Sequence, residues 1–489
     1  GLLLSEASLA FWYPVFVNLA LLLAFAASLF GTPVAEAVAR KLSKEPLPDA
    51  GIRYCRKVTV AWCIFFIANG GVAAATVLSG NRAAWLLWNG CLSYGAIGLM
   101  MGIEYLVRRR VMLLKTSDWM NGGSPDDVLF LLRDTPITRS EIRRRGSVLA
   151  ARLSVVPCRT VGIAERDPVK FLTELIATLA SRRTPVLAGG NRLASLEPAP
   201  DAVWAAEGAA APAGSAVIPS EDGGDAAMDL PPISPDAELL LFTSGTTGKP
   251  KPVRKIVRLL DREAEMVSEI FPDLRRLAVA SSVDPLHLYG LTFTVWVPMA
   301  LGLTRIVPRL EVPEDLASVT VPSAIISSPT FLRYLDPAVP HDAVRFILSA
   351  GGKLGSEAGA RVKEIFGIPA SGIYGSTETG VVAFTREAGR GDAELAPGVS
   401  FIGDPRDGRI RTPLTETGEA SLDDRIEPIG PRTFRLLGRR DRIVKIAEER
   451  VSLDEIEKTV LGRYDFHTVT QRFWNWCKVI SCCDKEYFA

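Results

Sequence analysis

An excess of charge of either sign is missing from this chain: 56 lysines and arginines stand against 55 aspartates and glutamates in 489 residues. So balanced a chain gives no argument for nucleic acid as a partner. Cysteines are few and unclustered. Among the seven, Cys55, Cys63, Cys91 and Cys158 are scattered and Cys482 adjoins Cys483, so none has the spacing of a zinc or iron–sulfur site. In a reducing compartment no structural disulfide is expected. Charge is also missing locally. Ser8 to Phe30, Val58 to Asn81 and Ala83 to Ile103 hold no Asp, Glu, Lys or Arg.

Each of these runs is long enough to cross a bilayer as a helix. Three in succession argue against a signal peptide, which is single and shorter. Arg40, Lys41, Lys44, Arg53, Arg56 and Lys57 fill the first loop and Arg108, Arg109 and Arg110 follow the third run, whereas the turn between the second and third has only Arg82. The basic bias places the first loop and everything after Arg110 in the cytoplasm. The expectation is a multi-pass protein of the inner, cytoplasmic membrane, with the lipid bilayer as a partner. Trp12, Tyr13, Trp62, Trp85 and Trp88 read as interfacial anchors, and the absence of charge inside the runs gives transport little support. The chain opens on Gly1, so an upstream segment is expected.

From Asp126 the pattern changes to alternating strands and helices. A short strand precedes a helix opened by Thr138 with Glu141 three residues on, a capping box. Strands at Val161 and Pro185 flank a helix from Pro168 to Ser181, a βαβ-like unit that implies a parallel or mixed sheet. Glu197 to Pro235, rich in Ala, Pro, Gly and Asp, reads as loop or linker. Further on come a charged amphipathic helix, Arg258 to Phe271, and buried-strand patterns at Leu277, Val321 and Phe346. Each strand ends in a loop, the place where open α/β sheets gather their ligands.

One loop carries the chemistry. In LLLFTSGTTGKPKPVRK, Leu239 to Lys255, an apolar run meets glycines that let backbone N–H groups approach phosphate oxygens, with hydroxyls at Thr243, Ser244, Thr246 and Thr247 and positive charge at Lys249 and Lys251. It is not a Walker A loop: two residues separate Gly245 from Gly248, and Pro250 follows Lys249.

The loop resembles the phosphate-binding signature of the acyl-adenylate-forming superfamily, which includes acyl-CoA synthetases, aryl-CoA ligases and peptide-synthetase adenylation domains. GIYGSTETG, Gly372 to Gly380, resembles its adenine and magnesium motif, and LLGRRDRIVKIAEERVSLDEIE, Leu436 to Glu457, resembles its hinge and the opening of its small C-terminal subdomain. The resemblance implies an α/β fold with a large adenylation domain in 113–437 and the start of a truncated small α+β subdomain in 438–463; the uncharged runs put a membrane region of three transmembrane helices in 1–112, and composition sets apart a tail of different character in 464–489.

It also implies roles. Thr243, Ser244, Gly245, Thr246, Thr247, Gly248, Lys249 and Lys251 would hold the β- and γ-phosphates of ATP. Tyr374, beside Gly375, would face adenine, Thr377 would stand near the α-phosphate, and Glu378 would bind Mg2+, for which carboxylate is a suitable hard ligand. The ribose acid falls on Asp424, with Asp423 as the alternative and a turn residue as the plain reading of either. Arg439 matches the hinge-side arginine, Asp441 the pivot of the small subdomain, and Lys445 a fold-supporting position. His287, in DPLHLYGL, would stand at the carboxylate end of the acyl pocket, or is simply a loop histidine. Gly351 and Gly352 would flank adenine and the acyl group, or only turn the chain.

The implied activity is a membrane-anchored, ATP-dependent, AMP-forming ligase that activates a fatty or aryl acid for transfer to CoA or an acyl carrier protein, and the wording GKPKPVRK, with Pro252, together with the fused membrane region, resembles ligases of aryl-polyene or fatty-acid-like pigment pathways. The family's terminal Gly-Lys segment is not found, and after Arg463 the text turns rich in Cys and aromatics; Lys478 and Lys485 lie outside the expected context. A truncated or frameshifted end with impaired turnover is therefore expected, and the alternative reading is a non-catalytic membrane module that binds nucleotide or a carrier protein.

Overall fold

The computed structural model describes residues 6–42, 49–111, 113–206, 210–221, 229–244, 250–389, 391–439, 443–446 and 449–452. The chain divides into two compact units, Gly1–Leu113 and Leu114–Ala489.

In the first unit the uncharged runs are helical: α1 (Glu6–Ser28), α2 (Val34–Leu42), α3 (Asp49–Leu78), and α4 (Arg82–Leu87), which passes through a π-helical turn into α5 (Ser93–Val111). Three stretches are long and apolar enough to cross a membrane by length and composition: Ala10–Ser28, Tyr54–Leu78 and Arg82–Glu104, with mean hydropathies of 1.9, 1.8 and 1.3. Between α1 and α3, Asn69 donates from Nδ2 to Asn18 Oδ1 at 3.1 Å. Gly70 permits this approach, because a Cβ there would stand 3.0 Å from Asn18 Cβ. Trp85 is more than an interfacial anchor, since its Nε1–H donates to the Phe11 carbonyl at 3.0 Å.

The second unit is α/β. Its strands are β1 (Val128–Leu132), β2 (Thr135–Thr138), β3 (Thr160–Ile163), β4 (Thr184–Leu187), β5 (Ala202–Trp204), β6 (Ala216–Ile218), β7 (Glu238–Ser244), β8 (Pro250–Ile256), β9 (Ala278–Ser281), β10 (Arg305–Val307), β11 (Ser323–Ser327), β12 (Val344–Ser349), β13 (Ser371–Ser376), β14 (Gly380–Thr385) and β15 (Asp392–Leu395). A small sheet of β16 (Ser400–Phe401), β17 (Arg409–Arg411) and β18 (Glu419–Ser421) follows, then β19 (Asp424–Pro428) and β20 (Thr433–Arg439), and a last hairpin of β21 (Ile443–Ile446) and β22 (Glu449–Ser452).

Two large sheets result. One has the order β6-β5-β3-β4-β7-β8, the other β19-β20-β15-β14-β13-β12-β11-β9-β10-β1-β2. Strands β1, β10, β9, β11, β12 and β13 pair in parallel. Ser-Ala-Ile-Ile-Ser of β11 is buried throughout, as expected of a parallel strand covered on both faces.

The helices begin where the caps place them. Thr138 accepts from the Glu141 N–H to open α6 (Arg139–Ser154), and Asp167 accepts from Val169 and Lys170 to open α7 (Pro168–Ala180), with Pro168 in the first turn. The amphipathic α8 (Val257–Ile270) starts directly after β8. One expectation is corrected. The stretch 197–235 is not only linker, because β5 and β6 join the six-stranded sheet in parallel. An apolar triplet within a Pro- and Gly-rich stretch is too short to show a period.

Candidate active site

The segment expected to bind phosphate lies in the chain between β7 and β8, which pair antiparallel with Thr243 opposite Lys251 and Ser244 opposite Pro250. Gly245, Thr246, Thr247, Gly248 and Lys249 lie outside the described residues, as do the side chains of Thr243 and Ser244. Lys251 is exposed at the loop end of β8.

The Tyr-Gly-Ser-Thr-Glu-Thr-Gly motif forms the turn between β13 and β14. Ser376 and Thr379 close it reciprocally: the Ser376 N–H donates to Thr379 Oγ1 at 3.0 Å and the Thr379 N–H to Ser376 Oγ at 3.2 Å. Thr377 and Glu378 are thereby held at the tip, Thr377 half-buried and Glu378 exposed. Two glycines let the arms approach. A Cβ on Gly375 would fall 2.1 Å from the Gly380 carbonyl oxygen, and Gly380 itself has φ +70°.

At the base of β13, the Tyr374 hydroxyl donates to Asp424 Oδ2 at 2.8 Å. Asp424 opens β19 opposite Arg439 of β20, and the Tyr374 hydroxyl reaches it from β13. The side chains of Arg439 and Lys445, and Asp441 entirely, lie outside the described residues. Of the two acids considered at the ribose position, Asp424 is the one whose bond to Tyr374 is seen.

Gly351 and Gly352 are exposed just beyond β12, Gly351 with φ +88°. His287 is exposed as the N-cap of α9 (Leu288–Leu291). Its loop is fixed by Tyr289, whose hydroxyl donates to the carbonyls of Ser327 at 3.0 Å and Leu348 at 3.1 Å. The loop therefore sits over the C-terminal ends of β11 and β12. Burial pushes the Tyr289 phenol well above its ordinary range, which keeps it neutral as a donor.

The sequence profile of the AMP-binding enzyme family matches residues 136–413, more than half of the chain. The chain belongs to the AMP-binding enzyme family. It is 34% identical over 218 residues to a sulfoacetate–CoA ligase of Cupriavidus necator, covering 42% of this chain and 41% of that protein. It is 28% identical over 278 residues to a 3-hydroxybenzoate–CoA/4-hydroxybenzoate–CoA ligase of Thauera aromatica, covering 53% of this chain and 50% of that one. The chain thus spans half or less of the length of these curated relatives. Among solved structures, o-succinylbenzoate CoA synthetase from Bacillus subtilis aligns with TM-score 0.60 at 18% identity, over 70% of this chain and 83% of that one. A malonyl-CoA ligase aligns with TM-score 0.57 at 19% identity, over 70% and 84%. At these identities the likeness shows the fold.

Beneath the turn of this AMP-binding enzyme lies a polar cluster that motif reading missed. Lys255, buried near the end of β8, donates from Nζ to the Glu378 carbonyl at 3.4 Å. Glu263 of α8 is buried; its Oε1 accepts the Val381 N–H at 2.7 Å and its Oε2 the Thr292 hydroxyl at 2.9 Å. Burial lowers the Lys255 pKa while Glu263 and Glu378 pull it back up. Burial raises that of Glu263, opposed by Lys255 and by its two hydrogen bonds. The available signal was positional: Glu263 lies on the apolar stripe of α8 with Leu260, Ala264 and Val267, where a charge is out of pattern.

Among the described residues no cluster of three or more His, Cys, Asp or Glu side chains could hold a metal ion. A protein cage is not required for Mg2+, which takes one or two carboxylates and completes its shell with phosphate and water. The exposed Glu378 carboxylate at the turn tip fits that role.

Proposed function

We propose that the protein is an ATP-dependent, AMP-forming ligase that activates a carboxylic acid, fatty or aryl, as its acyl-adenylate and passes the acyl group to the thiol of CoA or an acyl carrier protein. The observation that carries the reading is the convergence of the Thr377–Glu378 tip, the Tyr374–Asp424 pair and the phosphate hairpin, the last joined to the tip through Lys255. The relatives named for hydroxybenzoate favour an aryl acid within that class.

In the proposed reaction a substrate carboxylate oxygen bonds to the α-phosphorus of ATP and pyrophosphate leaves in line; a thiolate then bonds to the acyl carbon and AMP leaves. The protein's task is to position anions and disperse charge. Lys251 and the hairpin loop would bind the β- and γ-phosphates, Thr377 would donate to the α-phosphate, and Tyr374 and Asp424 would fix adenine and ribose. Glu378 would hold Mg2+, which when bound supplies positive charge against the triphosphate. His287 and Gly351–Gly352 would border the acid at the strand ends.

The three apolar helices and the basic residues that flank them support anchoring in the inner membrane with the ligase part in the cytoplasm. ATP–pyrophosphate exchange with a panel of fatty and hydroxyaryl acids tests the activity, with Glu378→Ala as the control. Exchange dependent on one acid and on Glu378 is expected. ATP binding without exchange for any acid would instead favour a nucleotide-binding module.

A further inference from the structure

Three chain segments meet at Lys255 and Glu263, and two of them carry the groups just assigned to the triphosphate. Residues 251, 253 and 255 share a face of β8, since side chains alternate along a strand, and no irregularity interrupts its pairing with β7. Lys251 and Lys255 therefore stand on one face, four residues or about 13 Å apart. The outer one is exposed beside the phosphate loop; the inner one is buried and bonded to the Glu378 carbonyl. From the other side Glu263 grips the Val381 N–H, just past the turn. Gly380 makes the grip possible, because a Cβ there would stand 2.8 Å from Glu263 Oε1. Both hydrogen bonds are to backbone, so they set where the tip stands, and the Glu378 charge is near enough to act on Lys255 as well.

We infer that Lys255 and Glu263 are positioning residues that tie the phosphate-binding strand to the turn bearing Glu378, so that metal and triphosphate are presented to each other at a fixed separation. This rests on the assignment of Glu378 to the metal. A buried lysine near a buried glutamate is not needed to fold a strand next to a helix, because apolar side chains of similar volume serve as well or better. What the charged groups add is a directional contact at each of two defined backbone atoms, short at the Val381 N–H and longer, 3.4 Å, at the Glu378 carbonyl. The consequence is specific. Weakening the tie should leave ATP binding by itself nearly intact and reduce the extra affinity that Mg2+ confers.

The test uses the full chain in detergent and measures the Kd for ATP with MgCl2 and with EDTA, in the absence of acid, so that binding is read rather than turnover. Lys255→Met alone leaves Glu263 uncompensated in the interior and can fail to fold, so the deciding variant is Lys255→Met/Glu263→Met, which removes both bonds and leaves no buried charge, checked for a thermal midpoint near wild type. Glu263→Gln alone keeps an acceptor toward Val381 and should retain the Mg2+-linked tightening to within about twofold. The double variant should lose about tenfold of it, with the EDTA affinity unchanged, the KM for acid unchanged and kcat lowered. Glu378→Ala run in parallel separates the two levels of the argument. If Glu378→Ala leaves the Mg2+ linkage intact, the metal assignment fails and this inference with it. If Glu378→Ala abolishes the linkage and the folded double variant keeps it at the wild-type level, the positioning role alone is overturned.

Discussion

Alanine at Gly380 and alanine at Gly351 should differ in cost although both glycines sit in the left-handed region. Their φ values are +70° and +88°, where a side chain costs about 1–2 kcal/mol. At Gly351 nothing lies within 4 Å of an added Cβ, so the backbone term is the whole cost. At Gly380 the added Cβ would stand 2.8 Å from Glu263 Oε1 and 3.0 Å from Leu414 Cδ1. The carboxylate must retreat from the Val381 N–H it holds at 2.7 Å, which forfeits a hydrogen bond to a charged group worth about 1.5–3 kcal/mol. The expectation is about 1–2 kcal/mol for Gly351→Ala and about 3–5 kcal/mol for Gly380→Ala. Denaturant midpoints of the full chain measure the totals, and hydrogen–deuterium exchange over 371–385 reads the Val381 amide directly. Equal destabilisation of the two variants, or a Val381 amide as protected in Gly380→Ala as in wild type, would refute the reasoning.

Asp261 of α8 gives a pH prediction. Burial pushes its carboxyl up from 3.8 to about 6, against hydrogen bonds from Thr116 and Trp296. Between about pH 4 and 6 the folded chain therefore keeps a proton that the unfolded chain has released, and the stability due to this group falls as pH rises, by on the order of 3 kcal/mol in all. Asp261→Asn should remove that fall, so its midpoint should gain on wild type from about pH 4 to about pH 6 and then run parallel; a difference independent of pH would sink the idea. At the proposed nucleotide site, Tyr374→Phe deletes the hydroxyl that donates to Asp424 at 2.8 Å and should weaken ATP binding by about tenfold at most. Asp424→Ala should weaken it further. Measured by nucleotide titration, the reverse order would remove Asp424 from the ribose role.

What was legible in the sequence was what local chemistry dictates. Thr138 announces a helix start because a cap is read from a few adjacent residues, and the Gly-rich hairpin and the Tyr-Gly-Ser-Thr-Glu-Thr-Gly turn stand out because tight turns accept few residue types. The family and the α/β architecture followed from them. The bond between Tyr374 and Asp424 was not legible, because it depends on the pairing of β19 with β20 and joins residues 50 apart in the chain. Lys255 and Glu263 escaped notice for the same reason. Lys255 looks like an ordinary surface charge, and Glu263 is marked only by its place on the apolar stripe of α8, until the partner segments, 123 and 118 residues further along the chain, close over them. Strands β5 and β6 were missed because three residues carry no periodic signal.

The turn between β13 and β14 separates shape from chemistry. Its form is set by Ser376 with Thr379, by Gly375 and Gly380, and by Lys255 and Glu263 acting on main-chain atoms. The side chains of Thr377 and Glu378 contribute none of these bonds. Mutational drift at the two tip positions can therefore exchange one reactive group for another while the loop keeps its conformation, whereas drift at the six supporting positions alters the loop before it alters the reaction. The apex is an interchangeable fitting on a rigid mount, and a lineage could retune its chemistry there without having to solve its folding again.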